Sequence, residues 1–227
     1  LTLNRPPPPP MTAPGSATGG PAATPSPAAP LEKPADADAS RVLVVGDGFT
    51  TAAPGGTVWP DLVRADLETA GRPVDMTVTA ALGSGYAQPD PDGVTFSDLA
   101  EQAGGEFDLV VFFGSRHDIA AAPDVAAAAE ATFTAVRAAS PEAGLVVIGP
   151  VWTTPPPPGY IVTNRDALGL AVVPSGAEFV DPLTAGWFSG TAPDLVAPDG
   201  TRPTAEGHRY LADLLRPVIE TALPAAE

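Results

Sequence analysis

Five short runs rich in β-branched and aliphatic residues punctuate the chain from residue 41 onward: RVLVVG (41–46), VDMTVTA (74–80), FDLVVFFG (107–114), GLVVIGP (144–150) and AEFVDP (177–182). Near-continuous apolar runs of this length suit strands buried on both faces, which is the situation inside a parallel sheet. Helical stretches lie between them. TVWPDLVRADLETAG (57–71) closes on a glycine suited to a helix end, and APDVAAAAEATFTAVRAAS (122–140) sets Val125, Ala129, Phe133 and Val136 at roughly helical spacing. A shorter helix is expected within 163–176. The segment 204–223 places Tyr210, Leu211, Leu214, Leu215 and Val218 on one face, with Thr204 as its cap and Pro217 shortening or kinking its far end. The order β-α-β-loop-β-α-β-α-β-α predicts an α/β domain, a doubly wound, mainly five-stranded parallel sheet between two helix layers. Sites in such sheets form at the carboxyl ends of the strands, where Gly46-Asp47-Gly48, Gly83-Ser84-Gly85 and Gly114-Ser115 fall.

Residues 1–40 read differently. RPPPPP and PAATPSPAAP, with almost no aromatics and no apolar periodicity, cannot bury enough surface to order themselves, and the expectation is a disordered Pro/Ala-rich tether. The folded domain is expected over 41–223, followed by a tail of 224–227. The chain begins at Leu1, which leaves room for a removed upstream signal or anchor, with Met11 as an alternative start.

Charge and composition exclude several partners. The 227 residues carry 27 acidic and 11 basic side chains, a net charge of −16, which argues against nucleic acid and against an anionic membrane surface. No apolar run approaches the roughly 18 residues that cross a bilayer, so no membrane insertion is expected within this chain. Zero cysteines exclude disulfides, thiol catalysis and thiolate zinc sites. His117, His208, Asp47, Asp118 and Asp199 have no metal-ligand spacing, so neither metal nor cofactor is expected. An extracytoplasmic, cell-surface or virion-associated place is favoured over the cytoplasm.

Four spaced blocks resemble the SGNH (GDSL-type) hydrolase family between about residues 41 and 222. VVGDGFT sits where the family has G-D-S after the first strand, and ALGSGYA (81–87) resembles its glycine block. VVFFGSRHD (110–118) resembles G-x-x-N-D, and APDGTRPTAEGHRYLADLL (197–215) resembles D-x-x-H-P-T-x-x-G-H. The resemblance implies a three-layer αβα sandwich with a flavodoxin-like sheet. It also implies a serine nucleophile, a histidine base oriented by aspartate, and an oxyanion site built from backbone N–H groups and the asparagine. Carried over by position, the nucleophile is Gly48, the asparagine is His117 and the base is Arg202, while Asp199 and a glycine, Gly83 or Gly85, are retained.

Glycine can form no acyl intermediate, and arginine stays protonated at any neutral pH. No catalytic set is therefore intact, and Arg202 is expected to form a static ion pair with Asp199. Thr50, Thr51, Ser84 and Ser115 are hydroxyls in the same loops, read as turn ligands rather than substitute nucleophiles. His208 is read as fixing the start of the last helix, and Asp47 and Asp118 as carboxylates that hold their loops. The pocket expected is Gly48, Gly83, Ser84, Gly85 and His117, with Asp47, Arg202 and Trp187 as further binding residues. Trp59, Trp152 and Phe188 join Trp187 as a sugar face or as core.

The expectation is a binding or structural module that has lost ester hydrolysis. It would take a small acylated, sugar-like or anionic ligand, glycans included, or a protein partner. Arg202 and His117 beside backbone N–H groups favour a carboxylate or phosphate. The alternative is a divergent active esterase or acetyl-hydrolase that uses water activated by His117.

Overall fold

The computed structural model describes residues 39–189 and 194–225. The expected tether at 1–40 lies outside the described residues except for its last two positions, of which Ser40 opens the first strand; of the tail, Pro224 and Ala225 are described.

Five strands, β1 (Ser40–Gly46), β2 (Val74–Ala80), β3 (Leu109–Phe113), β4 (Gly144–Ile148) and β5 (Glu178–Val180), form one sheet in the order β2-β1-β3-β4-β5, every pair parallel. The apolar runs dictate this placement. β1, β3 and β4 are the three inner strands, and β3 is buried along its whole length. Strand side chains alternate faces, so Leu109, Val111 and Phe113 pack on one side of the sheet and Val110 and Phe112 on the other.

The first face is covered by α1 (Trp59–Thr69) and α5 (Ala205–Ala222), which contribute Trp59, Val63, Leu67, Leu211, Leu215 and Ile219. The second is covered by α2 (Phe96–Ala103), α3 (Ala122–Ala139) and α4 (Gly159–Ala171), through Phe96, Phe133 and Leu168 among others. Phe112 meets the rings of Phe133 and Tyr86 at 5.6 and 5.8 Å. The expected three-layer α/β architecture is the one observed.

Two elements differ from expectation. The stretch between β2 and β3, expected as loop, contains α2. Thr95 caps it through a reciprocal box with Asp98, whose carboxylate accepts from Thr95 N at 2.8 Å and from the Thr95 hydroxyl at 2.6 Å. Those two bonds hold the Asp98 carboxyl below its ordinary value. The last helix runs through Pro217 to Ala222, so of the two effects expected of Pro217, shortening or kinking, the helix is not shortened. Pro217 and Asp213, whose carbonyl loses its helical partner, both lie on the exposed face, where the missing bond costs least. Thr204 caps α5 as expected, accepting from Gly207 N at 3.1 Å.

Candidate functional site

The sheet order places the topological switch between β1 and β3, because the chain leaves β1 for one neighbour, β2, and returns on its other side as β3. The loops beyond β1, β2 and β3 therefore meet at one end of the sheet.

Beyond β1, the Asp47 carboxylate is buried and turns the chain into a short 3-10 turn, Gly48–Thr50, by accepting from Phe49 N at 2.9 Å. Its other oxygen accepts from Arg116 N at 3.4 Å, tying the β1 loop to the β3 loop. Burial raises the Asp47 carboxyl above its ordinary value, opposed by the nearby His117 and by the two N–H groups. Asp47 is thus a brace, with both oxygens turned to backbone.

At position 48 the surroundings are closed as well as unreactive. A Cβ on Gly48 would lie 2.4 Å from the Thr201 carbonyl oxygen and 2.6 Å from Leu82 Cδ1. The segment preceding α5 and the β2 loop occupy the volume that a side chain would need.

The β2 loop is organised by Asp118, which is 1% exposed and accepts from Tyr86 N at 3.1 Å, Ala87 N at 2.8 Å and Gln88 N at 2.9 Å. Burial raises this carboxyl, against the pull of those three donors. Gly85 is required by the same packing, since a Cβ there would fall 2.5 Å from Asp118 Oδ1, and the Gly85 N–H is taken by Gln88 O at 2.7 Å. Asn164 of α4 donates to the Asp118 carbonyl and fixes the β3 loop from the helix layer.

Three of the loop hydroxyls are structural. Thr51 donates to Gly48 O at 2.9 Å, Ser84 to Val94 O at 2.8 Å and Ser115 to Ser84 O at 2.9 Å; Ser115 Oγ also accepts from His117 N at 2.9 Å. Thr50 is buried against Gly46, where a Cβ would stand 2.1 Å from its hydroxyl oxygen. His208 receives Trp59 N on Nδ1 at 3.2 Å, so its Nε2 carries the proton and donates to Thr51 O at 3.1 Å. It joins α5, the start of α1 and the β1 loop, a wider role than fixing one helix start.

Several expected placements need correction. Arg202 forms no ion pair with Asp199 among the described residues. Asp199 is exposed and accepts from Thr201 N at 3.0 Å and Thr201 Oγ1 at 2.8 Å, bonds that lower its carboxyl, while Arg202 reaches Ala52 O at 3.4 Å. Trp187, 7% exposed, packs in the core with Trp59 and Phe188, because the α1/α5 face of the sheet claims its ring.

A cavity of about 510 Å³ opens between the β2 loop, the β3 loop and the segment after β4. Gly83, Asp90, Arg116, His117, Trp152 and Tyr160 are among its walls. Of the expected pocket, Gly83 and His117 line it; Gly48, Ser84 and Gly85 do not, the first covered by Leu82 and Thr201, Ser84 turned to Val94 O and Gly85 packed against Asp118. Sequence reasoning passed over Arg116 and Tyr160. Arg116 was signalled only by its place next to His117 in a loop after an inner strand.

The chain is 37% identical over 191 residues to a GDSL lipase of Mycobacterium tuberculosis, covering 80% of this chain and 82% of that protein. It belongs to the GDSL (SGNH) hydrolase family. No family model matches the chain. Among solved structures, this SGNH domain is similar to the lipase/acylhydrolase from Enterococcus faecalis, with a TM-score of 0.61 at 16% identity, over 83% of this chain and 99% of the other. It is also similar to a carbohydrate esterase family 2 enzyme with a carbohydrate binding domain from Myceliophthora fergusii, with a TM-score of 0.60 at 19% identity, over 87% of this chain and 68% of the other. These likenesses carry the SGNH fold. No helix among the described residues is long and apolar enough to cross a membrane.

Proposed function

We propose that this SGNH domain no longer hydrolyses esters and serves as a binding module that takes a small sugar-like, acylated or anionic ligand. The observation that carries the reading is position 48: bare backbone, with the Thr201 carbonyl 2.4 Å from where a Cβ would stand. A nucleophile needs both an oxygen and room to approach a carbonyl carbon, and this position offers neither. The position of the base holds Arg202, whose guanidinium carries no removable proton near neutral pH. Losing nucleophile and base together leaves only binding and oxyanion stabilisation, a small remnant of triad catalysis. A cavity with polar and aromatic walls persists beside the closed position, which is what a module derived from an enzyme would retain.

The experiment is direct. Purified full chain is incubated with p-nitrophenyl acetate and, separately, with a fluorescent fluorophosphonate. The expected result is no turnover above buffer and no covalent label. Turnover that disappears in His117→Ala would overturn the proposal and establish water activation by His117 in its place.

A further inference from the structure

Arg116 is a cation without an ion-pair partner among the described residues of an acidic protein. Arg165, Arg209 and Arg216 each pair with a carboxylate, Asp181, Asp66 and Glu220 respectively. Among the described residues the Arg116 guanidinium makes no ion pair and no hydrogen bond. It is held instead by two aromatic faces, its central carbon 5.3 Å from the Phe49 ring centroid and 5.6 Å from that of Trp152. Stacking fixes the plane of a guanidinium while leaving its edge donors free, the arrangement suited to bidentate contact with an oxyanion.

The adjacent residue supplies a second group. His117 Nε2 is buried and has no hydrogen-bond partner among the described residues, although the ring lines the same cavity. A buried polar atom left without a partner costs free energy that a ligand can recover. Two carboxylates stand close by. Asp47 lies behind the pair, with its oxygens engaged by Phe49 N and Arg116 N. Asp90 is at the wall, with Oδ1 turned to Asp92 N at 2.9 Å and Val94 N at 2.8 Å. Trp152 and Tyr160, edge to face at 6.4 Å, add an aromatic corner. A volume of about 510 Å³ suits one ring with a substituent.

The geometry points to Arg116 and His117 as the receptor for a carboxylate or phosphate borne on a single ring, with the ring against Trp152 and Tyr160. This deepens the binding reading and rests on it. It also moves the cationic recognition from Arg202, just before α5, to Arg116, on the β3 side of the site.

Isothermal titration of the full chain with benzoate, phenyl phosphate and D-glucuronate, against neutral benzamide, tests it. At least one anion should bind saturably and benzamide should not; the preferred anion then separates a carboxylate from a phosphate, and an aryl ring from a sugar. Arg116→Gln and His117→Gln should each weaken that binding tenfold or more. Arg116→Lys, which keeps the charge without the planar fork, should recover only part, and Arg202→Gln should bind as the unmodified chain does. Benzamide binding as tightly as benzoate, anion binding unchanged in both Gln variants whose thermal unfolding matches the parent, or no saturable binding by any probe overturns the assignment. Hydrolysis of p-nitrophenyl acetate by the same samples separates the two proposals. Turnover with Arg116-dependent anion binding removes only the claim of lost hydrolysis, whereas absence of both removes the anion receptor and leaves the inactive module standing.

Discussion

A single methyl group at position 48 probes the site more cleanly than a new nucleophile does. Because the obstruction is the Thr201 backbone carbonyl at 2.4 Å, Gly48→Ala and Gly48→Ser meet the same obstacle. Both should lower stability by about 1–3 kcal/mol, the usual cost of overpacking a closed position. Urea unfolding of the two variants checks this, and equal losses identify the cause as steric. The same contact changes the outlook for restoring chemistry. Gly48→Ser with His117→Asn and Arg202→His returns the residue types of the family, but the serine still faces Thr201 O and Leu82. Fluorophosphonate labelling of the triple variant should therefore remain at background unless Leu82→Ala and a shift of the Thr201 segment open the position.

At the scale of elements, His208 links three segments through one neutral ring, and the link has a pH dependence. Burial lowers the His208 pKa below its ordinary value, and the hydrogen bond to Thr51 O only partly opposes this. In the folded state the ring stays neutral at pH values where the unfolded chain already binds a proton. Stability is unaffected by this group above an unfolded pKa of about 6.5 and falls as pH drops below it, until the depressed folded pKa is passed. Thermal unfolding from pH 8 to pH 5 should show the decline, and His208→Asn should flatten that part of the profile. The variant should also lose about 1–3 kcal/mol at pH 8, because Trp59 N or Thr51 O is left without its partner in a buried place. The helix that expectation lacked, α2, belongs to this scale too. Eight residues give too short a periodic pattern to stand out, yet the sequence of its start, Thr95-Phe96-Ser97-Asp98, is a capping box that announces a helix.

For the whole molecule, stability rests on a sheet buried on both faces. Phe112 of β3 points into the α2/α3/α4 layer with no exposure and touches Tyr86, Phe96 and Phe133. Phe112→Ala should cost about 3–5 kcal/mol and Phe112→Leu far less, read as shifts in the denaturant midpoint. The loss should appear in the α1/α5 layer as well, because the two helix layers share one sheet and unfold with it.

Local pattern alone determined the strands, four of the five helices and the spacing of the family blocks, since apolar periodicity and loop chemistry are properties of neighbouring residues. It also located Asp118 and the hydroxyls of Thr51, Ser84 and Ser115 as braces, and gave Asp47 both as a brace and as a binding residue, while the Thr50 hydroxyl, expected as a turn ligand, makes no hydrogen bond among the described residues. It did not show that Thr201 and Leu82 fill the space above Gly48, that Trp187 belongs to the core while Trp152 faces the cavity, or that Arg202 bonds the β1 loop rather than Asp199. Nor did it single out Arg116, which becomes a candidate receptor only when Phe49 and Trp152 both pack against it. Each of those facts joins residues far apart in the chain, and which side chain occupies a given volume is settled only when the segments pack.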